Sequence, residues 1–205
     1  MGRRDSGARS QINARDNRPV LTVLVQRPAL RAGVLTAYIL LVEWARALVS
    51  TGSHALFAVF ILGGLALAIT GVGRPAERLG LGKSRFGLRI IGGLALAVVL
   101  LLPAAVRSDA VPILPAALAL PAIVVSVGEE VAFRGALFAA LNEIGGAPLA
   151  IMGSTIAWTL AHVLSHPPEF LGAVAMAGLL LALWRWACQD LVAPIISHVI
   201  ADLAL

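Results

Sequence analysis

"PAIVVSVGEEVAFRGALFAAL", residues 121–141, is apolar enough to be buried in lipid, yet Glu129, Glu130 and Arg134 stand at its centre. About 20 residues at 1.5 Å each cross the roughly 30 Å of a bilayer's hydrocarbon, so the stretch has the length of a membrane span. Its surroundings decide between a membrane and a soluble core. The chain has 205 residues, of which 59% are hydrophobic and 13% charged, and its mean hydropathy is +0.90. That leaves too little polar sequence to cover a soluble core of such size, so the chain reads as a polytopic membrane protein. A bilayer admits only backbone that is hydrogen-bonded internally, and no β-barrel alternation or separate soluble domain is visible. The expected fold is all-α, a polytopic transmembrane helical bundle of about seven spans. They are placed at 30–49, 54–72, 87–106, 111–143 with a break, 148–165, 169–187 and 190–205.

Prolines and glycines punctuate these spans. Pro112, Pro115 and Pro121 would each interrupt a helix interior, so the continuous part of the fourth span is expected to begin at Pro121. "EIGGAP" at 143–148 ends it, and "SHPPEF" at 165–170 is a turn. Residues 1–27 form a basic tail, whose apolar run at 20–25 is too short for a signal-peptide core. Residues 28–110 are read as N-terminal transmembrane helices and 111–205 as the core that carries the chemistry. The net charge of +5 comes from this tail and from the linker at 71–89, both beside apolar spans. The basic residues therefore orient the chain with its N-terminus in the cytoplasm, and nucleic acid is not expected as a partner. "STGSH" at 50–54 and "RSDAVP" at 107–112 then face the other side. Lys83 is the only lysine among many arginines, which by association suggests a bacterial plasma membrane. The lone Cys188 excludes an intrachain disulfide.

An ionisable side chain at membrane depth costs roughly 2.5 to 3.5 kcal/mol on insertion scales, so each needs a partner or a task. Glu130 and Arg134 are four apart, share a helix face and can form an ion pair. Glu129 points elsewhere, and a carboxylate facing a protein cavity is a candidate general base. Trp158 with His162, and His198 with Asp202, have the same one-turn spacing. Counting helical rise from the expected ends brings Glu129, His162 and His198 to comparable depth, in a cavity opening away from the cytoplasm. Taken singly, each has a bland reading: a helix fastener for Glu130 and Arg134, a hydrogen-bonded histidine, a packing tryptophan. Glu43 and Arg46 are expected to pair, with an entry path for substrate as the alternative. His54, His166, Glu169 and Asp190 are expected at solvated interfaces.

Taken together and in this order, the motifs resemble those of the CPBP family over roughly 111–205. This family of intramembrane proteases includes the type II CAAX prenyl endopeptidases and bacteriocin-immunity-type proteins, and is also called glutamic-type. The resemblance rests on EExxxR at Glu129, Glu130 and Arg134, an aromatic-xxx-His at Trp158 and His162, and HxxxD at His198 and Asp202. Trp158 stands where Phe is usual, and Asp202 where many members have Asn. The resemblance implies Glu129 as general base, His162 as holder of the water, and His198 with Asp202 facing the oxyanion. An ionised Asp202 would repel an oxyanion, so its expected part is to orient and charge His198. Glu130, Arg134 and Trp158 support the site. Members have been described both as metal-dependent and as metal-free. No cofactor is expected here, and zinc on Glu129, His162 and His198 is the alternative. The implied function is an endopeptidase acting on a peptide or protein substrate in or at the lipid bilayer: a prenylated CAAX-type tail, a peptide precursor or a C-terminal sorting helix. The alternatives are a non-catalytic immunity or scaffold protein of the same fold, and a small proton-coupled transporter.

Overall fold

The structure, a computed structural model, describes residues 27–49, 55–82, 85–106 and 114–204. The N-terminal tail, His54, Lys83 and the whole of the expected "RSDAVP" loop lie outside the described residues. Among those described there are helices and no strands. They are α1 Pro28–Ala47, α2 Leu56–Ala68 with a 3₁₀ turn Ile69–Gly71, the short α3 Ala76–Leu79, α4 Phe86–Val106, and α5 Ala116–Glu130. A π-helical stretch, Val131–Leu137, joins α5 to α6 Phe138–Ala161. A 3₁₀ turn Pro168–Phe170, α7 Leu171–Cys188 and α8 Val192–Ala204 follow.

Residues Ala116–Ala161 amount to 46 residues, which as one straight helix would be about twice as long as a bilayer is thick. The chain breaks where the glycines predicted it would: Gly145 has φ −139° and ψ 20°, and Gly146 has φ +66° and ψ −164°. The expected helix start at Pro121 is corrected. Pro115, with φ −55° and ψ 131°, precedes the first turn, and Pro121 lies inside α5. It lies so near the start of α5 that its missing N–H removes only one of the first rungs of the ladder. Pro28–Ala47, Ala116–Ala161 and Pro168–Cys188 are long and apolar enough to cross a membrane. Leu56–Gly71, Phe86–Leu102 and Val192–Ala204 are shorter apolar helices.

The polarity of the bundle is that of a membrane protein. Leu41, Leu62, Ile91, Val98 and Met176 are exposed on its outside, whereas Glu43, Glu129, Glu130, Arg134, Arg185 and Asp190 are buried. Lipid accepts the first set, and the second requires protein partners. The main helix pairs are α4 with α8, α2 with α5, α6 with α7 and α1 with α6. Between α2 and α5 the backbones nearly touch: a Cβ at Gly64 would lie 2.6 Å from the Val124 carbonyl oxygen. Small residues at such crossings permit the close packing that holds helices together in lipid.

Asp190, expected at a solvated interface, is buried and ties α4 to α8. It accepts from the backbone N–H of Ala193 at 2.9 Å and from Arg89 Nε at 2.7 Å. The first bond caps α8, whose leading N–H groups have no partner within the helix. Trp44 Nε1 donates to the Leu160 carbonyl at 2.9 Å and docks the end of α1 beside the end of α6. At the other ends of these helices Glu143 pairs with Arg31 and with Arg78.

Candidate active site

Four helical segments bring the predicted residues together. The C-terminal turn of α5 supplies Glu129 and Glu130, the π stretch Arg134, the end of α6 Trp158 and His162, and α8 His198 and Asp202. The Glu130–Arg134 pair is as expected, with Nη1 2.8 Å from Oε1 and both side chains wholly buried. The π geometry that carries it is not readable from the spacing. In it the Arg134 carbonyl accepts from Arg185 Nε of α7 at 3.1 Å, a partner from outside the helix. Arg185, which the sequence pattern does not single out, also donates to the Arg78 carbonyl at 2.8 Å, linking α7 to the basic linker.

Glu130 Oε1 also lies 3.0 Å from His198 Nδ1. The carboxylate accepts, so Nδ1 carries the proton and Nε2 is turned toward Asp202 Oδ2 at 3.4 Å and Glu129 Oε2 at 3.9 Å. His162 is fixed in the same way: its Nδ1 donates to the Trp158 carbonyl at 2.8 Å. The His162 Nε2 lone pair therefore faces Glu129 Oε2, 4.0 Å away. Asp202 is in turn 2.7 Å from Ser126 Oγ, whose hydroxyl is also 2.7 Å from the Ala122 carbonyl and can donate to either. Trp158 packs the site from beneath. Its ring lies 4.0 Å from the Arg134 guanidinium carbon, edge-on to Phe133 at 5.2 Å, and 4.4 Å from the His162 ring. An indole face over a desolvated guanidinium offsets part of the cost of burying that charge.

The other oxygen of Glu129 is not open to the cavity. Arg46 of α1 reaches it at 2.6 Å while also holding Glu43 Oε2 at 2.5 Å. The predicted Glu43–Arg46 pair is present, and Glu129, expected to face the cavity without a cation, shares that cation. Sequence spacing cannot give this contact, because the two partners lie on separate helices.

Two cavities meet at these residues. One, of about 570 Å³, is mostly apolar, lined by Val99, Leu100, Val174, Met176, Leu180 and Leu181 among others. The second, of about 360 Å³, is lined by Glu43, Arg46, Phe60, Val125 and Glu129 among others. Both also touch His162, His166, His198 and Asp202. His166, expected to be merely solvated, is partly buried, stacked on Phe170 at 5.3 Å and beside His162 at 5.2 Å. It lies in the turn after α6, where burial, and then the neighbouring His162, hold its pKa below the ordinary histidine value.

The alternative of zinc on Glu129, His162 and His198 gains no support from this arrangement. Among the described residues no group of three His, Cys, Asp or Glu side chains is disposed to hold a metal ion. Arg46 already supplies the positive charge at Glu129, and a divalent cation there would stand against it.

Residues 111–204 match the family model described as "Rce1-like: Type II CAAX prenyl endopeptidase Rce1-like". No curated protein and no solved structure gives a match. The matched segment contains Glu129, Glu130, Arg134, Trp158, His162, His198 and Asp202, and excludes Glu43 and Arg46.

Proposed function

From the premise that residues 111–204 are an Rce1-like domain within a bundle of apolar helices, we propose that this membrane protein is a metal-free, glutamate-based intramembrane endopeptidase. The observation that carries the reading is the convergence of three groups: Glu129 Oε2 lies 4.0 Å from His162 Nε2 and 3.9 Å from His198 Nε2. These distances are too long for direct hydrogen bonds and suit a water held between the groups. Glu129 Oε2 and His162 Nε2 are both acceptors, so they take the two water hydrogens and leave the oxygen lone pair free to attack.

In this mechanism Glu129 removes one proton as the water oxygen bonds to the scissile carbonyl carbon. The charge that develops on the carbonyl oxygen is met by His198, whose Nδ1 already donates to Glu130, so that a proton on Nε2 makes the ring a cationic donor. Asp202 Oδ2 orients that ring, and Ser126 steadies Asp202. Collapse of the intermediate breaks the C–N bond, and the departing nitrogen takes the proton from Glu129. The products are a carboxylic acid and an amine, and the glutamate is restored.

The apolar cavity supports a substrate with an apolar portion, as in a prenylated CAAX-type tail, the hydrophobic part of a peptide precursor or a sorting helix. Arg31, Arg78 and Glu143 gather at the opposite ends of the helices that bear Arg46 and His162. With the basic linker in the cytoplasm, the site opens away from it in what we take to be a bacterial plasma membrane. The test compares the termini of membrane and secreted proteins from cells carrying wild type or Glu129→Gln at matched levels. A precursor that stays uncut only with the variant is the expected result. Identical termini would reject hydrolysis and favour a binding or scaffold role.

A further inference from the structure

Each of the adjacent glutamates has its own arginine, and the two arginines come from different places. Glu130 is paired within its own helical run by Arg134. Glu129 is paired by Arg46, which stands 83 positions earlier and outside the segment that matches the family model. Three neighbours besides Glu129 surround Arg46. Glu43, one turn before it on α1, takes the same Nη2. Phe60 of α2 lies under its guanidinium carbon at 5.0 Å. Gly63 of α2 leaves room for its stem, since a Cβ there would come within 2.9 Å of Arg46 Cδ. A guanidinium needed only to fasten α1 would already be neutralised by Glu43. The further bond goes to the one oxygen of Glu129 that does not face the histidines.

We propose that Arg46 is the positioning residue of this site: it holds Glu129 Oε1 so that Oε2 stays aimed between His162 Nε2 and His198 Nε2, and Glu43 keeps Arg46 turned toward Glu129. The proposal rests on the endopeptidase reading for its catalytic consequence, but the contact itself does not. A carboxylate with one oxygen fixed rotates little about its last bond, and a displacement of about 1 Å at a reacting group can cost about 10²-fold in rate. The N-terminal helices are thereby part of the site.

Two measurements on the full chain in detergent test this. The first needs no activity. In thermal unfolding of wild type, Arg46→Met, Glu129→Gln and the double variant, the double variant loses less Tm than the two single losses added together. Additive losses would overturn the contact. The second follows cleavage of a quenched-fluorescent farnesylated CAAX peptide. Arg46→Met lowers kcat about 10²-fold with KM within about threefold, and Arg46→Lys or added methylguanidine restores part of the rate. An Arg46→Met protein with wild-type kcat, or one whose loss appears only in KM, would overturn the positioning role. Were wild type itself not to cleave, the endopeptidase reading and the catalytic part of this proposal would fall together, and the unfolding cycle would still decide the contact.

Discussion

Glu130 Oε1 serves two partners, Arg134 Nη1 at 2.8 Å and His198 Nδ1 at 3.0 Å, inside a wholly buried environment. Removing its charge strands the Arg134 guanidinium in the core, and breaking a buried pair in this way costs about 3–5 kcal/mol. Glu130→Gln therefore lowers the unfolding temperature sharply. Glu129→Gln has a small effect, since Arg46 keeps Glu43, and differential scanning of the purified variants separates the two. The split between the glutamates was legible in the sequence, because spacing of four puts Glu130 and not Glu129 beside Arg134. Two further partners of Glu129 and Asp202 were not. Arg46 and Ser126 meet them across helix interfaces, and nothing in the local pattern of α1 or α5 says which faces will meet. A buried salt bridge between distant helices leaves no trace in either helix alone, beyond the fact that an ionisable residue in an apolar run must have a partner.

At the scale of the element, Gly146 shows what a local signal can and cannot give. The "GGAP" cluster marks the break, and the structure places it there. The conformation, φ +66° with ψ −164°, lies in a region essentially closed to residues with a side chain. Space is not the constraint, since a Cβ there would meet only Pro148 Cδ, at 3.9 Å. Gly146→Ala should thus destabilise by about 1–3 kcal/mol through backbone strain alone. A measured ΔΔG near zero in reversible unfolding would mean that the turn can relax. The turn sets the direction of the second half of α6, and with it where Trp158 and His162 arrive. The π stretch had no comparable signal. Whether a helix bonds to the fourth or the fifth residue depends on its partners outside the helix, here Arg185 Nε of α7, which donates to the Arg134 carbonyl. That partner belongs to the tertiary structure. Pro121 is the converse case: a breaker by type, harmless near a helix start that Pro115 defines.

At the scale of the whole molecule, the motif-bearing half and the half without motifs are one unit. α2 lies against α5 and α4 against α8, with α1 against α6, so each N-terminal span covers a helix that carries site residues. In sequence the first 110 residues offered a basic tail, a basic linker, apolar spans and one expected ion pair, because the features that join the halves are glycines at crossings and side chains such as Arg46, Arg89 and Trp44, which bond across helices. Their meaning depends on the neighbour. Without α1, Glu129 loses the cation at Oε1, and without α2 and α4 the packed faces of α5 and α8 meet lipid. Residues 111–205 expressed by themselves should therefore fail to cleave the farnesylated peptide, although they contain the entire matched segment. Co-expression with residues 1–110 should restore cleavage, since membrane helices can associate after separate insertion. The same co-expression with Arg46→Met in the N-terminal piece should restore co-purification of the two pieces without restoring the rate. Cleavage by residues 111–205 alone would show that the domain sets its own base, and the N-terminal helices would then be a cover for the site and no part of it.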